Sequence, residues 1–186
     1  MVRLAIFAVL SAILGLMSRA SLGAPRTHGF WRFWAWECIL VLFIVNFISI
    51  RQWFGDPWSV RQLVSWILLF GSVIPAAWGA HALRRHGHPD HRRTDDTSLI
   101  GIEKTTRLVT TGAFRHIRHP LYSSLLLLAW GVFLKHPTWG GGGVALSASA
   151  LLLATARVEE KENLRYFGEA YRAYMERTKR FLPFLL

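Results

Sequence analysis

The chain has 186 residues, of which 52% are hydrophobic, and its formal net charge is +11. A soluble protein with this charge would be a candidate nucleic-acid binder. Here the basic residues flank apolar blocks instead of forming one stripe, so we expect no nucleic acid partner. The single cysteine, Cys38, excludes an intrachain disulfide and any zinc or redox motif built from paired cysteines.

Five apolar blocks predict an all-α, polytopic membrane protein with about five transmembrane helices. The blocks cover approximately residues 4–17, 34–50, 60–80, 120–134 and 144–156. The first block is short for a span and also has the length of a signal-peptide core. We interpret it as a span, because Arg3 is the only positive charge before it and further spans follow. The four glycines at 140–143 predict a tight turn between the last two helices.

The distribution of positive charge predicts the orientation in the membrane. Most of the 22 Lys and Arg residues lie in segments 19–32, 84–118 and 157–180, which five spans place on one side. Cytoplasmic segments are enriched in Lys and Arg. We therefore expect a cytoplasmic C-terminus, an outside N-terminus, and an integral-membrane location, the inner membrane if the protein is bacterial.

Four histidines lie in the polar segment between the third and fourth blocks, within residues 81–91. Their spacing matches no known metal site, and the neighbouring arginines repel a cation. We therefore expect no metal ion, and a basic face against anionic lipid is the better interpretation.

Two polar clusters at the ends of apolar blocks form the candidate site. The first is Arg118-His119-Pro120 with Tyr122. Pro120 suits the first turn of a helix, so Arg118 and His119 would lie beside the unpaired N–H groups of its start. The second cluster, 157–160, contains an arginine and two glutamates. We expect the clusters to meet on the cytoplasmic side, where carboxylates and donors together suit a zwitterionic ligand.

The residues after 159 form an amphipathic tail. Apolar and aromatic side chains recur at helical spacing and Gly168 interrupts them. We expect this tail either to lie on the membrane surface or to fold over the two polar clusters.

An ordered set of residues connects the two clusters and the tail. The set is Leu108, Val109, Gly112, Phe114, Arg118, His119, Pro120, Tyr122, Glu159, Glu160, Phe167, Gly168, Tyr171, Tyr174, Leu182 and Pro183. It resembles the isoprenylcysteine carboxyl methyltransferase family, whose wider relatives include the phospholipid N-methyltransferases. The resemblance covers approximately residues 100–186. The first hundred residues match only in being apolar and membrane-spanning.

The resemblance implies an integral-membrane methyltransferase that uses S-adenosyl-L-methionine (SAM) at the cytoplasmic face. The length of the chain predicts one domain, 1–186, and the apolar blocks predict membrane-spanning helices in 1–100; the resemblance implies a cofactor-binding catalytic half in 101–186. The implied cofactor residues are Thr106, Arg107, Leu108, Val109, Phe114, Arg118, His119, Pro120, Leu121, Tyr122 and Glu159. The implied catalytic residues are Arg157 and Glu160.

Two departures from the family pattern affect these assignments. Phe114 stands where the family often has Tyr, so a hydroxyl contact is lost. Thr155 stands where eukaryotic members have Arg, and Arg157 is the nearest substitute.

The expected acceptor is lipophilic: a prenylated cysteine, a membrane lipid such as a phospholipid amine, or a small thiol. A carboxylate acceptor would need orientation by Arg157, whereas an amine would need a base such as Glu160 or His116. We expect no obligate protein partner. The alternative from another class is a non-catalytic membrane protein that binds lipid or a partner through its basic face.

Overall fold

The structure is a computed structural model, and it describes residues 2–48, 50–88 and 105–182. Its helices are α1 (Val2–Met17), α2 (Arg19–Leu22), α3 (His28–Ile48), α4 (Val60–His86), α5 (Pro120–Phe133), α6 (Trp139–Phe167) and α7 (Glu169–Arg177). Two 3-10 turns cover Ile50–Trp53 and Gly112–Arg115. The all-α prediction is confirmed over the described residues.

Three of these helices, α3, α4 and α6, are long and apolar enough to cross a membrane. Helices α1 and α5 are apolar but shorter, so five spans and the orientation of the termini stay predictions. Exposed apolar side chains along α4, such as Ile67, Phe70 and Ile74, suit contact with lipid tails. At 1.5 Å per residue, α6 is about 43 Å long, which exceeds a hydrocarbon core of about 30 Å.

The helices extend beyond the apolar blocks at the polar end of the bundle. Helix α3 begins at His28 instead of near Trp34, and α4 continues through Pro75 to His86. The apolar blocks therefore indicated the membrane-embedded part of each helix but not its full length. Residues 89–91 of the histidine-rich segment lie outside the described residues.

The prediction of a glycine turn at 140–143 is wrong, because these glycines form the first turn of α6. Thr138 caps this helix, and its Oγ1 accepts a hydrogen bond from the Gly141 N–H at 3.0 Å. The absence of a side chain leaves room for this cap, since a Cβ on Gly141 would lie 3.0 Å from Thr138 Oγ1, and the Phe133 ring packs against the same turn. Capping and packing offset the low helix propensity of glycine.

Helix α5 lies at the centre of the bundle and contacts α3, α4 and α6. Small residues allow close approach: Ala129 of α5 and Ala145 and Ala148 of α6 are fully buried. Against α4, a Cβ on Gly131 would lie 2.9 Å from Leu69 Cγ. This packing fixes the N-terminus of α5 beside the last turns of α4 and α6.

The far end of α5 is held by two cations, the half-buried Arg61 and the buried Lys135. Arg61 donates hydrogen bonds of 2.7 Å to the carbonyls of Leu134 and Lys135, which follow the helix. Lys135 Nζ donates to Gln62 Oε1 at 2.9 Å and lies 3.3 Å from the ring centroid of Trp66. Positive charge at a helix C-terminus is stabilising, so this network anchors α5 to α4.

Candidate active site at the start of helix α5

The tail folds over the start of α5, which is the second of the two predicted placements. The backbone N–H groups of Arg118 and His119 donate to the carbonyls of Lys179 and Arg180, at 2.8 and 3.1 Å. Gly168, with φ of +58°, connects α6 to α7 in a backbone conformation that favours glycine. The tail therefore packs against the first polar cluster, and its backbone at Lys179 runs parallel to the backbone at Ile117.

Glu160 is the buried centre of an ionic network. Its Oε1 accepts from Arg118 Nε at 2.8 Å and from Arg180 Nε at 3.1 Å, and it lies 3.3 Å from His119 Nε2. Its Oε2 accepts from an Arg180 terminal nitrogen at 2.6 Å. Arg118 also donates to the carbonyls of Met175 and Thr178. Glu160 thus connects α6, the start of α5 and the tail.

Glu159, the neighbouring carboxylate, faces a different environment. Its Oε2 accepts a 2.6 Å hydrogen bond from the Tyr122 hydroxyl and lies 3.7 Å from His119 Nδ1. The His119 and Tyr122 rings are stacked, with centroids 5.4 Å apart, because residues three apart share a helix face. The Glu159 side chain remains 25% exposed, whereas that of Glu160 is 5% exposed.

Two adjoining cavities form one cleft, called here the α5 cleft. They enclose about 380 and 430 Å³, part of it open to solvent, and share Leu83, Phe114, Arg118 and Glu159. The first is also lined by His119, Pro120, Leu121 and Tyr122, and the second by Thr105, Leu108, Val109, Asn163, Phe167, Tyr171 and Tyr174. These volumes lie within the range of small-molecule sites.

Two tyrosines on α7 form one side of the cleft. The Tyr174 hydroxyl donates to the Phe114 carbonyl at 2.7 Å, and Tyr171 lines the same side of the cleft as Asn163. Burial raises the pKa of both phenols, so they remain protonated hydrogen-bond donors at neutral pH.

The start of α3 adds a second ionic group beside Glu159. The His28 backbone N–H donates to Glu162 Oε1 at 3.0 Å, and its Nδ1 contacts Glu162 Oε2. Arg32, only 1% exposed, lies one turn further along, with its guanidinium 5.0 Å from the Trp36 ring centroid. Arg32 and His28 lie close enough to Glu159 to stabilise its negative charge. The amino-terminal half therefore contributes to the site.

The structure brings most of the predicted site residues together but not all. Leu108, Val109, Phe114, Arg118 to Tyr122 and Glu159 line the α5 cleft. Thr106 and Arg107 are exposed, and their N–H groups donate to the Gly87 carbonyl instead. Arg157 is also exposed and lines no part of the cleft, because its position on α6 turns it away from Glu160.

Some cleft residues were not assigned from the sequence. Asn163 lies four residues after Glu159, so helical periodicity would have placed it on the same face. Thr105 reaches the cleft because Gly87 leaves room: a Cβ there would lie 2.5 Å from Thr105 Cγ2. Leu83 comes from a distant segment, and so do His28 and Arg32, which lie behind Glu159 and do not line the cleft; no local signal indicated them.

Two curated relatives resemble parts of the chain. One is methanethiol S-methyltransferase of Pseudomonas deceptionensis, which is 32% identical over 72 residues, covering 39% of this chain and 27% of the relative. The other is methanethiol S-methyltransferase 1 of Bradyrhizobium diazoefficiens (strain JCM 10833 / BCRC 13528 / IAM 13628 / NBRC 14792 / USDA 110), which is 23% identical over 129 residues, covering 66% of this chain and 40% of the relative.

The chain thus spans less than half the length of the two curated relatives. No solved structure gives a significant match. The predicted resemblance to membrane methyltransferases of the isoprenylcysteine carboxyl methyltransferase class is confirmed by the relatives and by the family match. The model of the family described as "Protein of unknown function (DUF1295)" matches residues 16–178. The chain therefore belongs to the DUF1295 family.

Proposed function

We propose that this protein is an integral-membrane, SAM-dependent methyltransferase whose α5 cleft binds the cofactor and whose acceptor is a small thiol. The observation that carries the proposal is the convergence, in one cleft, of the Glu159 carboxylate, the start of α5 and an apolar wall. The names of the two relatives agree with both the reaction and the acceptor.

The cleft residues fit the functional groups of SAM. The Glu159 carboxylate is held by Tyr122 through Oε2, lines the cleft and is 25% exposed, so it suits an ammonium group. The N–H groups of Leu121 and Tyr122 belong to the first turn of α5 and suit a carboxylate. Leu83 and Phe114 offer apolar surface to an adenine ring.

The protein's contribution to the reaction is alignment and exclusion of water. When bound, SAM supplies an electrophilic methyl group on a sulfonium sulfur. Glu159, Tyr122 and the start of α5 would hold SAM beside the acceptor, and transfer of its methyl group to a thiolate would leave a methyl thioether and S-adenosylhomocysteine, with the thiol proton released to solvent. The thiolate is the reactive form of a thiol, and a thiol can lose its proton to solvent before it reacts. We therefore propose that no residue acts as a base, and that Glu159, His119 and Tyr122 hold the cofactor in line.

The geometry favours a thiol over a carboxylate or an amine. A carboxylate acceptor needs a cation in the cleft, but Arg157 is exposed elsewhere and the Arg118 guanidinium is bound to Glu160 and two carbonyls. An amine needs a base, but Glu160 is held by two guanidiniums and His116 is exposed. We therefore propose neither Arg157 nor Glu160 as a group that acts on the acceptor.

The test is methyl transfer by the purified protein in detergent or nanodiscs. Labelled SAM is incubated with methanethiol, with a farnesylated cysteine and with phosphatidylethanolamine in parallel. We expect labelled dimethyl sulfide from methanethiol, loss of this activity in Glu159→Gln, and unchanged activity in Arg157→Ala. Transfer to the farnesylated cysteine alone, or a loss of turnover in Arg157→Ala, would contradict the thiol assignment. No transfer to any acceptor would favour the non-catalytic alternative.

The orientation of the cleft is also proposed, because it depends on the Lys and Arg distribution. We place the cleft on the cytoplasmic side, where SAM is available. A cysteine introduced at exposed Arg177, with Cys38 replaced by Ala, is expected to react with an impermeant maleimide only in inverted vesicles. Reaction in right-side-out vesicles would reverse the orientation.

A further inference from the structure

A polar cavity separate from the α5 cleft lies beside it and has no role in the proposed reaction. It encloses about 880 Å³, part of it open to solvent, and is lined by Thr110, Arg115, Ala170, Tyr174, Arg177 and Thr178. Tyr174 also lines the α5 cleft, so the two spaces share a wall. One side of the cavity is the 3-10 segment that contains Arg115, and the other is α7.

The cavity contains cationic donors that are not used within the protein. Arg115 is exposed and makes no hydrogen bond or ion pair with a described residue. Arg177 donates through Nε to the Ala173 carbonyl at 3.2 Å, which leaves its terminal nitrogens available. No carboxylate is among the described residues that line the cavity. Arg172 differs, because it lies on the same helix but pairs with Glu169 at 3.2 Å.

The walls of this cavity are held in place by hydrogen bonds. Tyr174 donates its hydroxyl to the Phe114 carbonyl at 2.7 Å, which ties α7 to the 3-10 segment. The Thr178 hydroxyl donates to the Tyr174 carbonyl at 2.7 Å and closes the end of the helix. The two arginines therefore project from backbone segments with a fixed separation.

We propose that this cavity binds a phosphate group, carried either by an anionic phospholipid headgroup or by free phosphate. Two guanidiniums with available N–H groups match the oxygens of a phosphate, and the threonine hydroxyl of Thr110 adds a donor. Helix α6 is a candidate span and is longer than a hydrocarbon core, so a membrane crossed by α6 would place α7, which follows it, at the level of the lipid headgroups.

The cavity and the α5 cleft are built from the same two segments. A phosphate that binds Arg115 and Arg177 together links the 3-10 segment to α7, and both segments line the cleft through Phe114 and Tyr174. The phosphate site itself stands on its own residues and does not depend on the proposed reaction.

The experiment compares Arg115→Gln/Arg177→Gln with the matched control Arg172→Gln. Inorganic phosphate is titrated calorimetrically into protein in phosphatidylcholine nanodiscs. Separately, native mass spectrometry measures how much phosphatidylglycerol, relative to phosphatidylcholine, stays bound to each purified protein. Thermal unfolding verifies that each variant is folded, which we expect because these arginines are exposed.

We expect saturable binding of phosphate, of phosphatidylglycerol or of both to the wild type. The double variant should bind about tenfold more weakly, because two charge-assisted contacts are lost, and Arg172→Gln should bind as the wild type does. Preference for phosphatidylglycerol with no binding of inorganic phosphate identifies a headgroup site. Binding of inorganic phosphate with no preference for phosphatidylglycerol identifies a free-phosphate site. Absence of both from folded wild type, or equal weakening by Arg172→Gln, would overturn the proposal.

Discussion

Replacing Glu160 by glutamine tests whether this carboxylate is structural. Its side chain is 5% exposed and accepts hydrogen bonds from Arg118 and Arg180. The glutamine side chain would keep the shape but lose the charge and present an NH₂ group to cationic donors. Removing one partner of a buried ion pair costs about 3–5 kcal/mol. We expect about 3 kcal/mol, because Arg180 is 27% exposed and water compensates part of the loss.

The assay is thermal unfolding in detergent, followed by tryptophan fluorescence. For a chain of this size, about 3 kcal/mol corresponds to a fall in Tm of about 6–12 °C. Glu169→Gln is the control, since this carboxylate pairs with Arg172 but is 85% exposed, and its Tm should change by no more than about 2 °C. If Glu160→Gln unfolds at the wild-type temperature yet loses turnover, Glu160 acts in catalysis and this reasoning is refuted.

Three further perturbations test other parts of the structure. Burial lowers the pKa of Lys135 from 10.5 to about 8, so between these pH values the unfolded state binds more protons than the folded state. The Tm should therefore rise as the pH increases from about 8 to 10.5. Lys135→Met should abolish this rise. Tyr174→Phe removes the bond to the Phe114 carbonyl and should cost about 1 kcal/mol in denaturant unfolding; unchanged stability would argue against that bond. Gly87→Ala, just after α4, should displace Thr105 and weaken S-adenosylhomocysteine binding in calorimetry, whereas Gly71→Ala within α4 meets open space and should not.

The helices were largely predictable from the sequence because their signals are local. Pro120 begins α5 as predicted, since its fixed φ and missing N–H suit the first turn of a helix. The glycines at 140–143 misled the prediction, because their low helix propensity is a local property. The Thr138 cap and the Phe133 ring that stabilise this turn act together only in the folded chain.

The candidate site was only partly predictable, for a similar reason. The two polar clusters are short motifs, and their meeting followed from placing both at the same end of adjacent helices. The roles within the clusters depend on long-range partners. Arg118 and Arg180 pair with Glu160, which the resemblance implied to be catalytic. His28 and Arg32 approach Glu159 from residues 19–32, which lie between the first two apolar blocks. No spacing along the chain encodes these contacts.

Calorimetric titration of S-adenosylhomocysteine into the purified protein tests the central claim most directly, with wild type beside Glu159→Gln. We expect saturable binding to the wild type. Because a hydrogen bond to a charged group contributes about 1.5–3 kcal/mol, the variant should bind about 10- to 150-fold more weakly. Absence of binding to folded wild type, or equal affinity in the two proteins, would contradict the assignment of the α5 cleft as the cofactor site.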